Sequence, residues 1–125
     1  MTSTRVTLCA ALIVLAFVNA ACDPAARPAA GTAAAGRTLY GENGCASCHG
    51  VSGRGDGPVG KTLAIPPRDF KDAQSFRNGR DEASIAATLA TGIDRNGAKM
   101  PAFNHLTETE RRALALYVLS LGAAD

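Results

Sequence analysis

Two cysteines and a histidine lie within five residues of one another near the middle of the chain. Cys45 and Cys48 are separated by Ala46-Ser47, and His49 follows the second cysteine directly. On one helical turn the two sulfurs face the same side, where each can reach one vinyl group of a haem. The imidazole of His49 can then bind the iron as the proximal ligand. The spacing therefore predicts a c-type haem attachment site.

Two other chemistries use closely spaced cysteines. A thioredoxin-like dithiol needs a βαβ context, which the sequence lacks. Zinc needs four ligands, and beyond the two cysteines this segment offers His49 and the chain adds His105. His49 directly follows Cys48, which makes a tetrahedral arrangement awkward. Both chemistries remain alternatives to haem attachment.

An iron bound by His49 has a second axial position, and Met100 is the residue favoured for it. The other methionine of the chain is Met1, which lies in a segment predicted to be removed. Met100 lies in Gly97–Phe103, where a glycine and a proline disfavour a helix and a loop can hold the thioether outward. The alternatives are a methionine that fills the core, His105 as the ligand, and an open sixth position.

The first 21 residues have the pattern of an export signal. Arg5 gives a positive N-terminal region, Val6–Val18 is almost wholly apolar, and Asn19-Ala20-Ala21 offers small residues for cleavage. The apolar run is too short for a permanent membrane span. Residues 1–21 are therefore predicted to be a signal peptide, and the mature protein is expected in the periplasm, which suits haem attachment through thioethers.

Cys22 is a candidate for lipidation. The stretch Val18–Cys22 resembles a bacterial lipobox, although Asn19 stands where a branched apolar residue is usual. The alternative is cleavage before Ala21, which leaves Cys22 as a free thiol. We expect Cys22 to anchor the protein to a membrane, with residues 22–33, rich in alanine and proline, as a flexible tether.

Residues 34–125 are predicted to form one small all-α domain. The domain has no tryptophan and few aromatic side chains, so its core is thin for its length. A buried macrocycle would supply the missing apolar volume. The aromatic residues are Tyr40, Phe70, Phe76, Phe103 and Tyr117.

Three helices are predicted to frame this domain. The first runs from about Ala34 to Asn43, and the second from about Asp81 to Thr91 with Gly92 after it. The last begins at the capping box Thr107–Glu110 and is expected to end at Gly122.

The first and last helices are expected to cross. Gly36 and Tyr40 share a face of the first helix, and Leu114 and Tyr117 share a face of the last. A glycine at the crossing lets the second helix approach closely. The alternative is two amphipathic helices that never meet. Between them, the glycine- and proline-rich stretch 50–76 is expected to be an irregular loop that lies against a flat ligand.

These features together resemble a class I monohaem cytochrome c over essentially the whole mature domain. The shared marks, in order, are the Gly36/Tyr40 helix, the Cys45–His49 motif, the Met100–Phe103 segment and the closing Leu114/Tyr117 helix. The resemblance implies an all-α fold of three to five helices around one covalently bound haem c, with one haem edge exposed.

Relatives often use a tryptophan to hold a haem propionate, and this chain has none. Arg68 or Lys61 is expected to take that role, since a guanidinium or an ammonium can bind a carboxylate. The alternative is that both are solvated charges of the loop.

The resemblance implies an electron carrier that docks briefly with a redox donor and a redox acceptor, as a monomer and without catalytic residues. Two alternatives are a fixed haem subunit of a larger dehydrogenase or respiratory complex, and a haem enzyme or gas sensor in which Met100 is labile. The net charge of +2 is too small to indicate nucleic-acid binding.

Overall fold

The computed structural model describes residues 27–124, and within them the fold is mostly helical, as predicted. The predicted signal peptide and Cys22 lie outside the described residues. The described residues form four α-helices: α1 (Ala33–Glu42), α2 (Cys45–His49), α3 (Glu82–Thr91) and α4 (Glu108–Ala123). A small hairpin, β1 (Ile93–Arg95) and β2 (Ala98–Met100), separates α3 from α4, and 3₁₀ turns lie at Gly60–Thr62 and Ala73–Ser75.

Side chains cap the N-termini of the three longer helices. The Thr32 hydroxyl accepts from the Ala35 N–H at the start of α1, and the Asp81 carboxylate accepts from the Ser84 N–H at the start of α3. At the start of α4 the predicted capping box is present, with Thr107 and Glu110 bonding to each other's backbone N–H. These caps satisfy donors that the helix itself leaves unpaired.

The ends of α3 and α4 differ in how they use glycine. Gly92 ends α3 with a φ of +70°, as predicted. The prediction that Gly122 ends α4 is wrong, because the helix continues to Ala123. Gly122 keeps a negative φ, and its missing side chain serves a close contact with the backbone of Phe70 instead.

Helices α1 and α4 cross in direct contact, as predicted. A Cβ atom on Gly36 would overlap the carbonyl oxygen of Ala113 and lie 2.9 Å from the Cβ of Tyr117. Beside this point the rings of Tyr40 and Tyr117 meet edge to face, with centroids 5.2 Å apart. The glycine is therefore required by the distance between the two backbones.

One hydrophobic core joins α1, α3 and α4. Its members are small or aliphatic side chains from the inner faces of these helices and from the segment before α4, together with one aromatic from each of α1 and the loop between α2 and α3. The buried apolar residues are Leu39, Tyr40, Phe70, Ile85, Ala86, Leu89, Leu106, Ala113, Leu114, Ala115 and Val118.

The β1–β2 hairpin was not predicted from the sequence. Its two strands are antiparallel, with Ile93 opposite Met100, and Asn96 and Gly97 form the turn with φ values of +53° and +84°. Two left-handed residues in a two-residue turn match the twist of the flanking strands, and Asn-Gly is the usual sequence for this. Met100 consequently lies at the end of a strand.

Across residues 27–124, every helix falls short of the length and apolar character needed to cross a lipid bilayer.

Candidate haem-binding site

Helix α2 is about one and a half turns long and carries Cys45, Cys48 and His49. Both cysteines are free thiols with partly buried side chains, and burial raises the pKa of the Cys45 thiol. Gly44 precedes the helix with a φ of +67°, and Gly50 follows it with a φ of +79°. The chain thus turns sharply at both ends, and the three side chains remain close together.

The loop after α2 hydrogen-bonds to the end of that helix. Backbone N–H groups of this loop donate to the carbonyl oxygens of the last four residues of α2. The pairs are Gly50 to Ala46, Val59 to Ser47, Gly57 to Cys48 and Gly55 to His49, at 2.9, 2.9, 3.2 and 2.8 Å. A helix of five residues has too few internal bonds to be stable alone. The loop therefore supplies the bonds that hold the two cysteines and the histidine in place.

The imidazole of His49 is partly buried against an aromatic ring. It stacks on Phe70 with centroids 4.8 Å apart and an angle of 25° between the planes. Burial lowers the pKa of His49 to about 4, with the positive charge of Arg68 as a second cause. The side chain is therefore neutral at pH 7, which is the form that binds a metal.

One ring nitrogen of His49 has no hydrogen-bond partner. Nδ1 is buried, and neither a backbone nor a side-chain group within the described residues pairs with it. Buried polar atoms in proteins are almost always paired, so such an atom indicates a group that the site is built to receive. A neutral, oriented imidazole beside two free thiols fits a covalently attached haem.

Tyr40 fixes the end of α2 to α1. Its buried hydroxyl donates to the carbonyl oxygen of Gly50 at 2.7 Å, and burial strongly raises the pKa of this phenol. Because the folded state favours the neutral phenol, its stabilisation is present below a pH of about 10 and is lost as the pH rises above the pKa of the unfolded chain.

Tyr40→Phe is expected to lower the free energy of unfolding of the haem-loaded protein by about 1–2 kcal/mol, since the Gly50 carbonyl loses the shorter of its two hydrogen bonds and keeps only the one from the Gly53 N–H at 3.3 Å. Denaturant unfolding measures the change. Tyr117→Phe is the matched control, because the Tyr117 hydroxyl makes no hydrogen bond to the described residues and its ring stays in the same edge-to-face pair. Equal losses in the two variants would contradict a special role for the Tyr40 hydroxyl.

The loop after α2 approaches the hairpin that carries Met100. Met100 is partly buried and packs against the core, while the Cδ1 atom of Ile65 lies 3.4 Å from the position of a Cβ on Gly97 in the hairpin turn. The loop residues Val59, Leu63 and Ile65 expose 47%, 39% and 43% of their surface. Exposed aliphatic side chains on this loop fit an apolar ligand that would cover them.

His105 and the zinc alternative have less support. The His105 ring is exposed, and its Nε2 atom lies 3.1 Å from the Asn43 side-chain oxygen at the end of α1. Within residues 27–124, no three His, Cys, Asp or Glu side chains converge as a metal site. The described part of the chain therefore gives no support to a zinc centre.

The two candidate propionate ligands lie in different surroundings. Arg68 is half-buried, donates to the carbonyl oxygen of Ser75 and covers the ring of Phe76 at 5.3 Å. Burial lowers the pKa of Arg68, and its charge acts on His49. Lys61 is exposed in the turn Gly60–Thr62. Of the two, Arg68 is the cation that lies near the histidine.

The family model for cytochrome c matches residues 33–122, which include α1 to α3, all but the last residue of α4, the motif Cys45–His49 and Met100. The chain belongs to the cytochrome c family. The resemblance inferred from the sequence motifs is thereby confirmed.

Proteins of two kinds are similar to this chain. Cytochrome c6 of Rippkaea orientalis is 36% identical over 91% of this chain and 93% of its own length. The cbb3-type cytochrome c oxidase subunit CcoP is 36% identical in Azospirillum brasilense and 38% identical in Azospirillum sp., in each case over 74% of this chain. The matched region spans only 30% of either CcoP subunit.

A solved structure has a similar fold. The Kuenenia stuttgartiensis reducing HAO-like protein complex aligns with a TM-score of 0.64 and 38% identity. The alignment covers 77% of this chain and 46% of the other. The region similar to this chain therefore makes up nearly the whole of cytochrome c6 but only part of the CcoP subunits and of the chain in the HAO-like complex.

Sequence reasoning missed Phe70 as a residue of this cytochrome c site. Phe70 lies 21 positions after His49 in an irregular loop, and no periodicity links the two. The available signal was Gly53, whose missing side chain makes room for the Phe70 ring and whose carbonyl oxygen accepts from the Phe70 N–H at 2.8 Å.

Proposed function

We propose that this cytochrome c is an electron-transfer protein with one haem c, bound through thioethers to Cys45 and Cys48 and ligated by His49 and Met100. The observation that supports the proposal most strongly is the His49 imidazole. It is neutral, stacked on Phe70 and has a buried nitrogen with no partner, directly after two free thiols.

When bound, the haem supplies an iron that changes oxidation state by one electron. The residues of the chain determine how easily it does so. The thioether of Met100 favours the reduced state relative to a second imidazole, and the apolar side chains around His49 exclude water. If His49 and Met100 both bind the iron, they would leave no position for a substrate, so we propose a carrier without catalytic activity.

Covalent attachment is tested by mass. In a host that attaches c-type haem, the purified protein is expected to keep one haem after denaturation, and Cys45→Ser/Cys48→Ser is expected to lose it. Ser47→Ala is the matched control, because it lies between the cysteines and its side chain bonds only locally, to the Gly44 carbonyl and the neighbouring sulfur. Haem retained by the double variant after denaturation would contradict thioether attachment.

We also propose that Arg68 supplies the positive charge for a haem propionate. Arg68→Gln is expected to lower the reduction potential, since a half-buried cation near the iron opposes its oxidised, more positive state. Lys61→Gln is expected to have a smaller effect because exposed charges are screened by solvent and salt. A redox titration of both variants measures this. A larger change for Lys61→Gln would reverse the assignment.

We propose that the protein is exported, with residues 1–21 removed, and anchored to a membrane through a lipid on Cys22. The tether 22–33 would then lead to the cytochrome c domain. Incorporation of radiolabelled palmitate into the wild type, and its loss in Cys22→Ser, tests the anchor. Label that persists in the variant would contradict it.

A fixed subunit of a larger complex is the second candidate, and the relatives favour it over catalysis. The domain matches part of CcoP, named as an oxidase subunit, and part of a chain in a reducing HAO-like complex. The chemistry at the haem would be the same, and the partner would be permanent. Size measurement after gentle extraction from the native membrane separates the two, since a carrier is expected as a monomer.

A further inference from the structure

The last turn of α4 rests on the backbone of Phe70. A Cβ atom on Gly122 would overlap the Phe70 carbonyl oxygen, lie 3.2 Å from its carbonyl carbon and lie 2.6 Å from Nη2 of Arg80. No side chain fits between these groups without a shift of the backbone. The glycine is therefore required by the contact between the helix end and the loop that holds Phe70.

Arg80 links the two sides of this contact. Its Nη2 atom donates to the carbonyl oxygen of Gly122 at 3.2 Å and approaches that of Phe70 at 3.5 Å. Its guanidinium carbon also lies 5.8 Å from the centre of the Phe76 ring. Phe76 in turn packs beside Phe70, with centroids 6.1 Å apart. One side chain thus bridges the end of α4 and the aromatic pair of the loop.

Phe70 is held at both of its backbone polar groups. Its N–H donates to the Gly53 carbonyl oxygen at 2.8 Å, in the loop that caps α2, and its carbonyl oxygen faces Arg80 and Gly122. With both groups fixed, the ring has a defined place, stacked 4.8 Å from the centre of the His49 imidazole. The position of the ring over His49 therefore depends on residues far along the chain.

We propose that Arg80 and Gly122 are positioning residues that hold Phe70 over His49 and thereby keep water away from the iron ligand. The proposal rests on the proposed function, in which His49 binds the haem iron. The apolar shell around a metal site controls solvent access and so the reduction potential. If the ring is displaced, water stabilises the more charged oxidised iron, and the reduction potential falls.

Two variants of the haem-loaded protein test the proposal. Arg80→Gln removes the bridge and keeps a polar side chain, and Gly122→Ala pushes the end of α4 away from Phe70. The matched controls lie in α1: Arg37→Gln changes an exposed arginine with no side-chain hydrogen bond or ion pair among the described residues, and Gly41→Ala adds a Cβ with no atom within 4 Å.

At a fixed ambient potential, the ratio of reduced to oxidised protein is expected to fall by about threefold or more in Arg80→Gln and Gly122→Ala, and to stay unchanged in both controls. Arg80→Lys, which can still donate to one carbonyl, is expected to recover part of the loss. The melting temperature is expected to fall in Gly122→Ala and to rise or stay level in Gly41→Ala, because alanine is the better helix former where space allows.

A lower melting temperature with an unchanged potential in Arg80→Gln would show a merely structural role and overturn the proposal. The proposal is also overturned if Arg37→Gln lowers the reduction potential as much as Arg80→Gln does. If the Gly122→Ala protein cannot be produced, the reduction potential of Arg80→Gln alone tests the proposal. Failure of the proposed function is distinct, since it would appear in the wild type as a protein without covalently bound haem.

Discussion

Met100→Ala is expected to leave haem attached to the chain and to lower its reduction potential by on the order of 0.1 V or more, a fraction of the range that axial ligands set. Attachment depends on Cys45 and Cys48, which the substitution does not touch. The thioether favours reduced iron, so its loss favours the oxidised state. Spectra recorded during a redox titration measure both the ligation and the potential.

The same variant is expected to gain a reaction with carbon monoxide. With Met100 in place, the reduced protein has no open position, and its spectrum is expected to stay unchanged under the gas. With alanine at this position, a rapid spectral shift is expected. A rapid shift in the wild type would instead favour the hypothesis of a haem enzyme or gas sensor with a labile methionine.

His105→Ala is the control for this prediction. His105 is the other side chain considered as a second axial ligand, and its ring lies on the surface beside Asn43. Its removal is expected to leave the potential and the gas response as in the wild type. If His105→Ala changes the reduction potential and the gas response while Met100→Ala changes neither, His105 and not Met100 is the second iron ligand.

Gly36→Val is expected to destabilise the haem-loaded protein by about 3 kcal/mol or more, or to prevent it from folding. A Cβ at this position would overlap the carbonyl oxygen of Ala113 and lie 2.6 Å from its carbonyl carbon. Backbone atoms of a helix cannot move aside as a side chain can. The helices α1 and α4 would therefore have to separate along the core, and denaturant unfolding measures the cost.

Gly41→Val is the matched control in the same helix. A Cβ at Gly41 meets no atom within 4 Å, so valine there changes helix propensity without a clash. Its effect is expected to be within about 1 kcal/mol. If Gly36→Val also stayed within about 0.5 kcal/mol of the wild type, the close crossing of α1 and α4 would be wrong.

The parts of the fold that were predictable are those with local or steric signals. The capping box at Thr107 and Glu110 follows from residues three positions apart, and it is present. Gly36 and Tyr40 lie one helical turn apart, and they mark the crossing that the structure contains. In each case the residues that determine the structure are neighbours on one helix, so their spacing is sufficient.

Contacts between distant loop residues were not predictable in the same way. The stacking of Phe70 on His49 depends on the path of the loop, which has no periodic pattern. Glycine commonly ends a helix, but Gly122 lies within α4, because its close contact with the backbone of Phe70 outweighs this tendency. The turn at Asn96-Gly97 did have a local signal, since Asn-Gly is the usual sequence of a two-residue hairpin turn.

The residues of the loop that caps α2 also differ in how freely they can be substituted. From Gly53 to Pro58 its residues alternate between buried glycines and exposed side chains, although this stretch forms no strand. The glycines at 53, 55 and 57 lie against Phe70, the Pro67 carbonyl and α2, where no side chain fits. Arg54, Asp56 and Pro58 are exposed, although the Asp56 carboxylate also lies against Gly50. The charge at Arg54 can therefore diverge among descendants of this protein while the geometry behind it stays fixed.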